Sequence, residues 1–336
     1  MVQNNSVNNK LNLLKGFACI CVVFMHISFP GMFGQIVLNA SAYAVPVFFM
    51  IAGYYAYGKD KSIIRRRLIK IIKIFSCAYI LFFSYHSMIA TINHEIGVWL
   101  DKNFNLMTPI KYICFCTIDF AVPLWYLIAM IEAYICWYFI VKNKKENIAL
   151  KFIPILFVMQ VLLTSYRDTM NIAWFWKTNF ITRAMPWFLL GYYMHTEKAE
   201  RIRNMDSFKL VVLAVSGCIV AIIPVIFDLP VKFNVLGYIP FAFGLFNLCL
   251  KNPGHSVCKP IEYIGEKLSL NIYIFHILIA GVIDVISSRI LGIPTKSNVW
   301  LWCRPVIVLD CTIFASWIVY VVLNIKKLKL NRKISV

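Results

Sequence analysis

Charge is what this chain lacks most. Asp, Glu, Lys and Arg make up 15% of its 336 residues, where soluble domains carry about 25%. Anionic residues are the scarcer kind, 15 Asp+Glu against 34 Lys+Arg. With 60% of residues apolar, the chain cannot cover a water-facing surface, which excludes a soluble globular enzyme and a disordered polar chain. Metal and disulfide spacings are also missing. The 11 cysteines include Cys19/Cys21 and Cys114/Cys116, which are C-x-C rather than C-x-x-C, so no metal site is expected. Most thiols lie inside apolar runs, where Cys acts as a small apolar residue. The Asn-rich start, Met1 to Asn9, leads straight into an apolar run with no small-residue cleavage site, so no cleavable signal peptide is expected. Neither a clear internal repeat nor a polar linker nor an appended soluble domain is visible. Residues 1–336 are therefore expected to form a single membrane domain that does its work in the helices or their short loops.

What is present is a series of apolar runs of membrane-spanning length, about 20 residues each. Ten are expected, at 11–29, 37–57, 71–92, 121–141, 148–165, 180–194, 210–228, 233–250, 268–288 and 299–325. Residues 109–120 are apolar but too short, and read as a re-entrant or interfacial piece. The fold class is thus an all-α polytopic membrane protein. The cations set its orientation: with residues 1–10 inside, 25 of the 34 Lys+Arg fall on cytoplasmic segments and 9 outside. That bias predicts both termini cytoplasmic, with 326–336 as a basic tail. Nucleic acid is not an expected partner, because the cations sit in short clusters between apolar runs rather than along a stripe.

The first run holds Lys15 and His26, eleven residues apart. On a helix, eleven steps are three turns plus about 20°, so both side chains share a stripe about 16 Å long. Lys15 belongs near the cytoplasmic mouth. His26 lies past mid-membrane, where an ionisable group needs a wet cavity or a partner, so it is expected to face the bundle interior. Two readings are open for each: a functional pair, or a snorkelling Lys and a His bonded to a neighbouring helix.

Lys15, ten residues, His26 resembles the R/K-x10-H signature of the acyltransferase-3 family of membrane O-acyltransferases. Five further stretches resemble family motifs in the same order: Pro46 to Tyr54 (PVFFMIAGY), Arg67 to Ile71 (RLIKI), Leu124 to Leu127 (LWYL), Pro186 to Tyr192 (PWFLLGY) and Ser269 to His276 (SLNIYIFH). Together they cover nearly the whole chain. Ala52 stands where the family often has Ser, Lys70 replaces a second Arg, no Pro follows the basic motif, and the fused soluble domain of some members is absent. The resemblance implies transfer of an acyl group, usually acetyl, from cytoplasmic acyl-CoA (acetyl-CoA first) to a hydroxyl of a cell-surface or lipid-linked glycan.

The residues suit that chemistry. His26 is the candidate general base, since an imidazole titrates near neutrality; an acyl-His intermediate is the alternative. Lys15 would bind CoA phosphate or stabilise oxyanion charge, and its distance from His26 favours phosphate. Residues 59–73 hold seven cations and one anion, Asp60. Arg66, Lys70 and Lys73 share one helical face, with Arg67 on a neighbouring stripe, as candidate acyl-CoA ligands. Attraction to anionic membrane lipid or plain topology explains them equally well. Trp125, Glu132, Asp119 and Arg183 are candidate substrate-binding residues. Glu132 either orients His26, neutralises a buried cation or pairs helices; Arg183 is either an anion ligand or a topology residue. His276 matches the family motif but also suits helix packing. The rival to acyl transfer is a glycolipid or small-molecule transporter or flippase, which needs no role for His26.

Overall fold

The structure is a computed structural model that describes residues 8–165, 179–229 and 234–334, with side chains up to residue 325. Arg167, Lys177 and Lys232 of the charge count, and the side chains of the basic tail, lie outside the described residues. Among the described residues every regular element is a helix and no strand occurs. In chain order these are α1 (Asn9–His26), α2 (Gly31–Ala40), α3 (Ala44–Tyr54), α4 (Lys61–Ile92), α5 (Ile96–Asn103), α6 (Thr108–Phe115), α7 (Trp125–Lys142), α8 (Glu146–Lys151), α9 (Ile153–Ser165), α10 (Phe180–Arg183), α11 (Met185–His195), α12 (Glu200–Arg203), α13 (Ser207–Ile226), α14 (Asn234–Leu250), α15 (Lys259–Tyr263), α16 (Ser269–Val285) and α17 (Asn298–Ile334).

Local chemistry fixes several starts. The Asn8 side chain accepts from the Leu11 N–H at 2.8 Å, Asp60 from Ile63 at 2.9 Å and Asp206 from Phe208 at 2.9 Å. Each satisfies a backbone donor that an α-helix leaves free in its first turn.

Each of the ten expected spans coincides with helix. Six stretches are long and apolar enough to cross a membrane: Gly31–Tyr54, Lys61–Ile92, Val122–Lys142, Ser207–Ile226, Lys259–Ile290 and Asn298–Ile325. Ile153–Ser165 and Asn234–Leu250 are shorter apolar helices. Two expected spans stand apart for physical reasons. α1 is 18 residues long but carries Asn9, Lys10, Asn12 and Lys15 in its first two turns. The sixth is divided at Ala184 into a 4-residue and an 11-residue helix, with Pro186 in the first turn of the second. α4 begins ten residues before the expected span. Its 32 residues measure about 48 Å against about 30 Å of hydrocarbon, so its basic first turns have length to spare. α17 runs on through the backbone of the expected tail to Ile334. Only 11% of the apolar window of α4 and 17% of that of Asn298–Ile325 is buried by protein. Apolar faces left uncovered by protein suit a lipid solvent.

The chain forms two compact units, Met1–Ala44 with Phe241–Val336, and Val45–Pro240. In the first, α1 packs on α15 and on the π-helical turn Ile264–Leu268 that joins α15 to α16. Two glycines permit this approach: a Cβ on Gly16 would meet the Ile261 carbonyl oxygen, and one on Gly265 the Asn12 carbonyl oxygen. Leu11, Leu14, Ala18, Val22 and Val23 of α1 are buried there with Leu268 and Ile272. A second π-turn, Ile286–Ile290, follows α16. Asp284 of α16 accepts two bonds from Arg304 of α17, both at 2.7 Å, a forked pair that ties these helices together.

The second unit repeats the device. A Cβ on Gly53 of α3 would meet the Phe188 carbonyl, and one on Gly191 of α11 the Met50 carbonyl. Backbones that touch in this way need small residues on both sides. Phe49, Trp137, Trp187 and Phe188 fill the core around the crossing.

Candidate active site

In the first unit the site is built on α1. Lys15 and His26 lie on one uninterrupted helix, so the separation of about 16 Å along a common stripe holds. Lys15 is half-buried and feels the carboxylate of Glu266, which is itself paired with Lys267 at 2.6 Å. His26 is the last residue of α1, and its side chain is exposed rather than sealed in the interior. A base that must reach a substrate needs that access. Its ring centroid lies 5.1 Å from that of His276 on α16. His276 is 0% exposed, and its Nδ1 lies 3.1 Å from the Ile272 carbonyl. A carbonyl only accepts, so Nδ1 carries the proton and Nε2 the lone pair. Nε2 is buried with no hydrogen-bond partner among the described residues.

In the second unit the expected acyl-CoA ligands separate into two kinds. Arg66, Lys70 and Lys73 are exposed on one face of α4, open to a phosphate. Arg67 is half-buried and already engaged: its Nη1 donates to the Tyr55 carbonyl at 2.8 Å. Asp60, the one anion of this segment, is held below the usual carboxylate range by the Ile63 N–H and the Ser62 hydroxyl. It spends its charge on the helix start instead of opposing the cations.

Two of the substrate-binding candidates meet. The Arg183 guanidinium lies 4.0 Å over the Trp125 ring, a cation–π contact. Both are half-buried, and Arg183 has no carboxylate partner among the described residues. Glu132, also half-buried, accepts from the Cys116 thiol at 3.1 Å. Cys116 feels the charge of both Glu132 and Arg183, so the four residues form one cluster. The backbone contributes as well: Cys116 ends α6 in the left-handed region at φ +49°. That conformation is costly for a non-glycine residue. Asp119 stands apart, exposed and paired with Lys111 at 2.6 Å. Among the described residues no group of three or more His, Cys, Asp or Glu side chains is gathered as a metal ion would need.

A family model described as an acyltransferase domain matches residues 8–321, nearly the whole chain. The chain belongs to the acyltransferase-3 family. No curated protein and no solved structure matches it. The protein is a membrane acyltransferase, and three of the motifs that point to the family have clear structural work to do. Gly53 and Gly191 of this acyltransferase are the two sides of the α3–α11 crossing. His276, the end of the last motif, is the buried neighbour of His26.

Sequence reasoning missed Cys116, and no local signal marked it, because its partner Glu132 is sixteen residues away on another helix. It also passed over His195, whose ring is stacked between Tyr54 at 4.1 Å and Tyr57 at 4.8 Å. His195 Nδ1 lies 2.8 Å from the Tyr54 carbonyl. These contacts tie it to the junction of α3 and α11.

Proposed function

We propose that this acyltransferase moves a small acyl group, acetyl first, from cytoplasmic acyl-CoA to a hydroxyl of a cell-surface or lipid-linked glycan. In this reading the protein lies in the cell membrane and crosses it ten times with both termini cytoplasmic, following the 25 to 9 division of its cations. The carrying observation is Lys15 and His26 on one continuous helix, with the imidazole exposed at its end.

His26 takes the proton of the acceptor hydroxyl as its oxygen attacks the thioester carbonyl. The tetrahedral intermediate then expels the CoA thiolate, which receives the same proton from His26. Ester and free CoA thiol leave, and the imidazole is neutral again. Lys15 binds CoA phosphate; in the second unit Arg66, Lys70 and Lys73 are exposed cations suited by themselves to a phosphate ligand. The pantetheine arm extends along α1 from Lys15 toward His26. Trp125 and Arg183 offer an aromatic face and a cation to the acceptor.

The test compares surface glycans by mass from cells with and without the gene, before and after mild alkali. A base-labile ester present only with the gene supports the reading and identifies the acyl group. Identical glycans, together with gene-dependent glycolipid movement that needs no acyl-CoA, overturn it in favour of transport.

A further inference from the structure

We infer that His276 is the positioning partner of His26. Its bare Nε2 accepts a hydrogen bond from a ring N–H of His26, which fixes the His26 nitrogen that faces the acceptor hydroxyl. This rests on the reading of His26 as the general base.

The inference starts from an unmet bond. His276 is fully buried, and its Nδ1 proton is used by the Ile272 carbonyl one turn back on α16. The ring is thereby locked in one tautomer, with an acceptor at Nε2 that nothing fills among the described residues. A buried polar atom without a partner is destabilising. On α1, Cys19 directs its thiol toward the Ser269 carbonyl at 3.8 Å. On α17, the buried Thr312 and Ser316 hydroxyls are themselves without a hydrogen-bond partner among the described residues. The His26 ring, at 5.1 Å between centroids and tilted by 48°, is the aromatic donor beside it.

The chemistry gives the bond a purpose. An unconstrained histidine imidazole populates two tautomers and rotates about its side chain, so only part of the population offers a given lone pair to a substrate. A group that accepts one N–H holds the other nitrogen as the base, the task of the third member in nucleophile–base–orienter triads. His276 does this as a neutral acceptor. When His26 takes the substrate proton, the same bond steadies the imidazolium. No proton passes to His276, so the acyl-transfer stoichiometry is unchanged. The π-turns on both sides of α16 fit this role, because such irregularities re-aim a helix and are frequent at functional sites.

The experiment measures acceptor-dependent transfer by purified His276→Leu, His276→Gln, His26→Ala and the double variant His26→Ala/His276→Leu, with thermal stability recorded for each. His276→Leu is expected to lower kcat about tenfold or more, with both KM values within about twofold. His276→Gln, whose side-chain oxygen accepts the same bond, should recover most of that loss. The double variant should be no slower than His26→Ala alone. Wild-type kcat in His276→Leu overturns the inference. So does a His276→Gln variant as slow and as unstable as His276→Leu, which would mark a packing role. Wild-type transfer by His26→Ala would instead refute the general-base reading.

Discussion

The two units hold their polar groups in opposite ways. In the first, the central groups are imidazoles: one exposed at a helix end, one buried with an empty acceptor. In the second they are a guanidinium and a carboxyl group cushioned by soft neighbours, Arg183 by the Trp125 ring and Glu132 by the Cys116 thiol. Imidazoles near neutrality move protons at little cost. A half-buried guanidinium on an aromatic face keeps its charge and has donors to spare for an anion. On the proposed reading the units divide the labour, proton handling on α1 with α16 positioning it, and charge recognition around α7 and α10. Each unit has its own glycine crossing, Gly16 with Gly265 and Gly53 with Gly191.

The comparison breaks most severely at those crossings. Gly16→Val and Gly53→Val each push a side chain into a backbone carbonyl, a clash worth about 1–3 kcal/mol or more. Thermal melts of the purified variants should show clear destabilisation in both. Limited proteolysis should place the first new cuts in 241–334 or 8–44 for Gly16→Val and in 45–240 for Gly53→Val. The division of labour is sharpened next by Arg183→Met, which removes the charge and keeps the bulk. It should raise KM for one substrate about tenfold, the size of one lost charge-assisted hydrogen bond, and leave kcat within about threefold. A fall in kcat with KM unchanged would assign Arg183 to the chemistry instead. The smallest effect belongs to the exposed face of α4. Lys70→Gln should raise KM for acyl-CoA only two- to threefold, and the difference should vanish at high salt, since an exposed charge contributes about 0–1 kcal/mol.

The parts legible in the sequence were those with local causes. Apolar runs of spanning length marked every long helix, and a separation of eleven residues placed Lys15 and His26 on one stripe before any coordinates. The cationic face of α4 follows from short-range spacing as well. What could not be read were contacts made by distant segments. His276 is 250 residues from His26, and neither position carries a sign of the other until α1 packs against α16. The stacking of Arg183 on Trp125 and the Cys116–Glu132 bond have the same origin. That α1 ends at His26 and leaves it exposed was not legible either, although the expectation of a partner for an ionisable group at that depth agrees with the His276 ring beside it. The break at Ala184 was signalled by Pro186, although hydropathy alone merged its two pieces into one span.

The most direct test of the central claim follows free CoA thiol and acceptor ester together, using purified wild type and a His26→Ala variant matched for membrane insertion. Wild type should release one thiol per ester formed. His26→Ala should lower kcat by about a hundredfold or more, with KM for acyl-CoA little changed. Ester formation at the wild-type rate in His26→Ala would contradict the account.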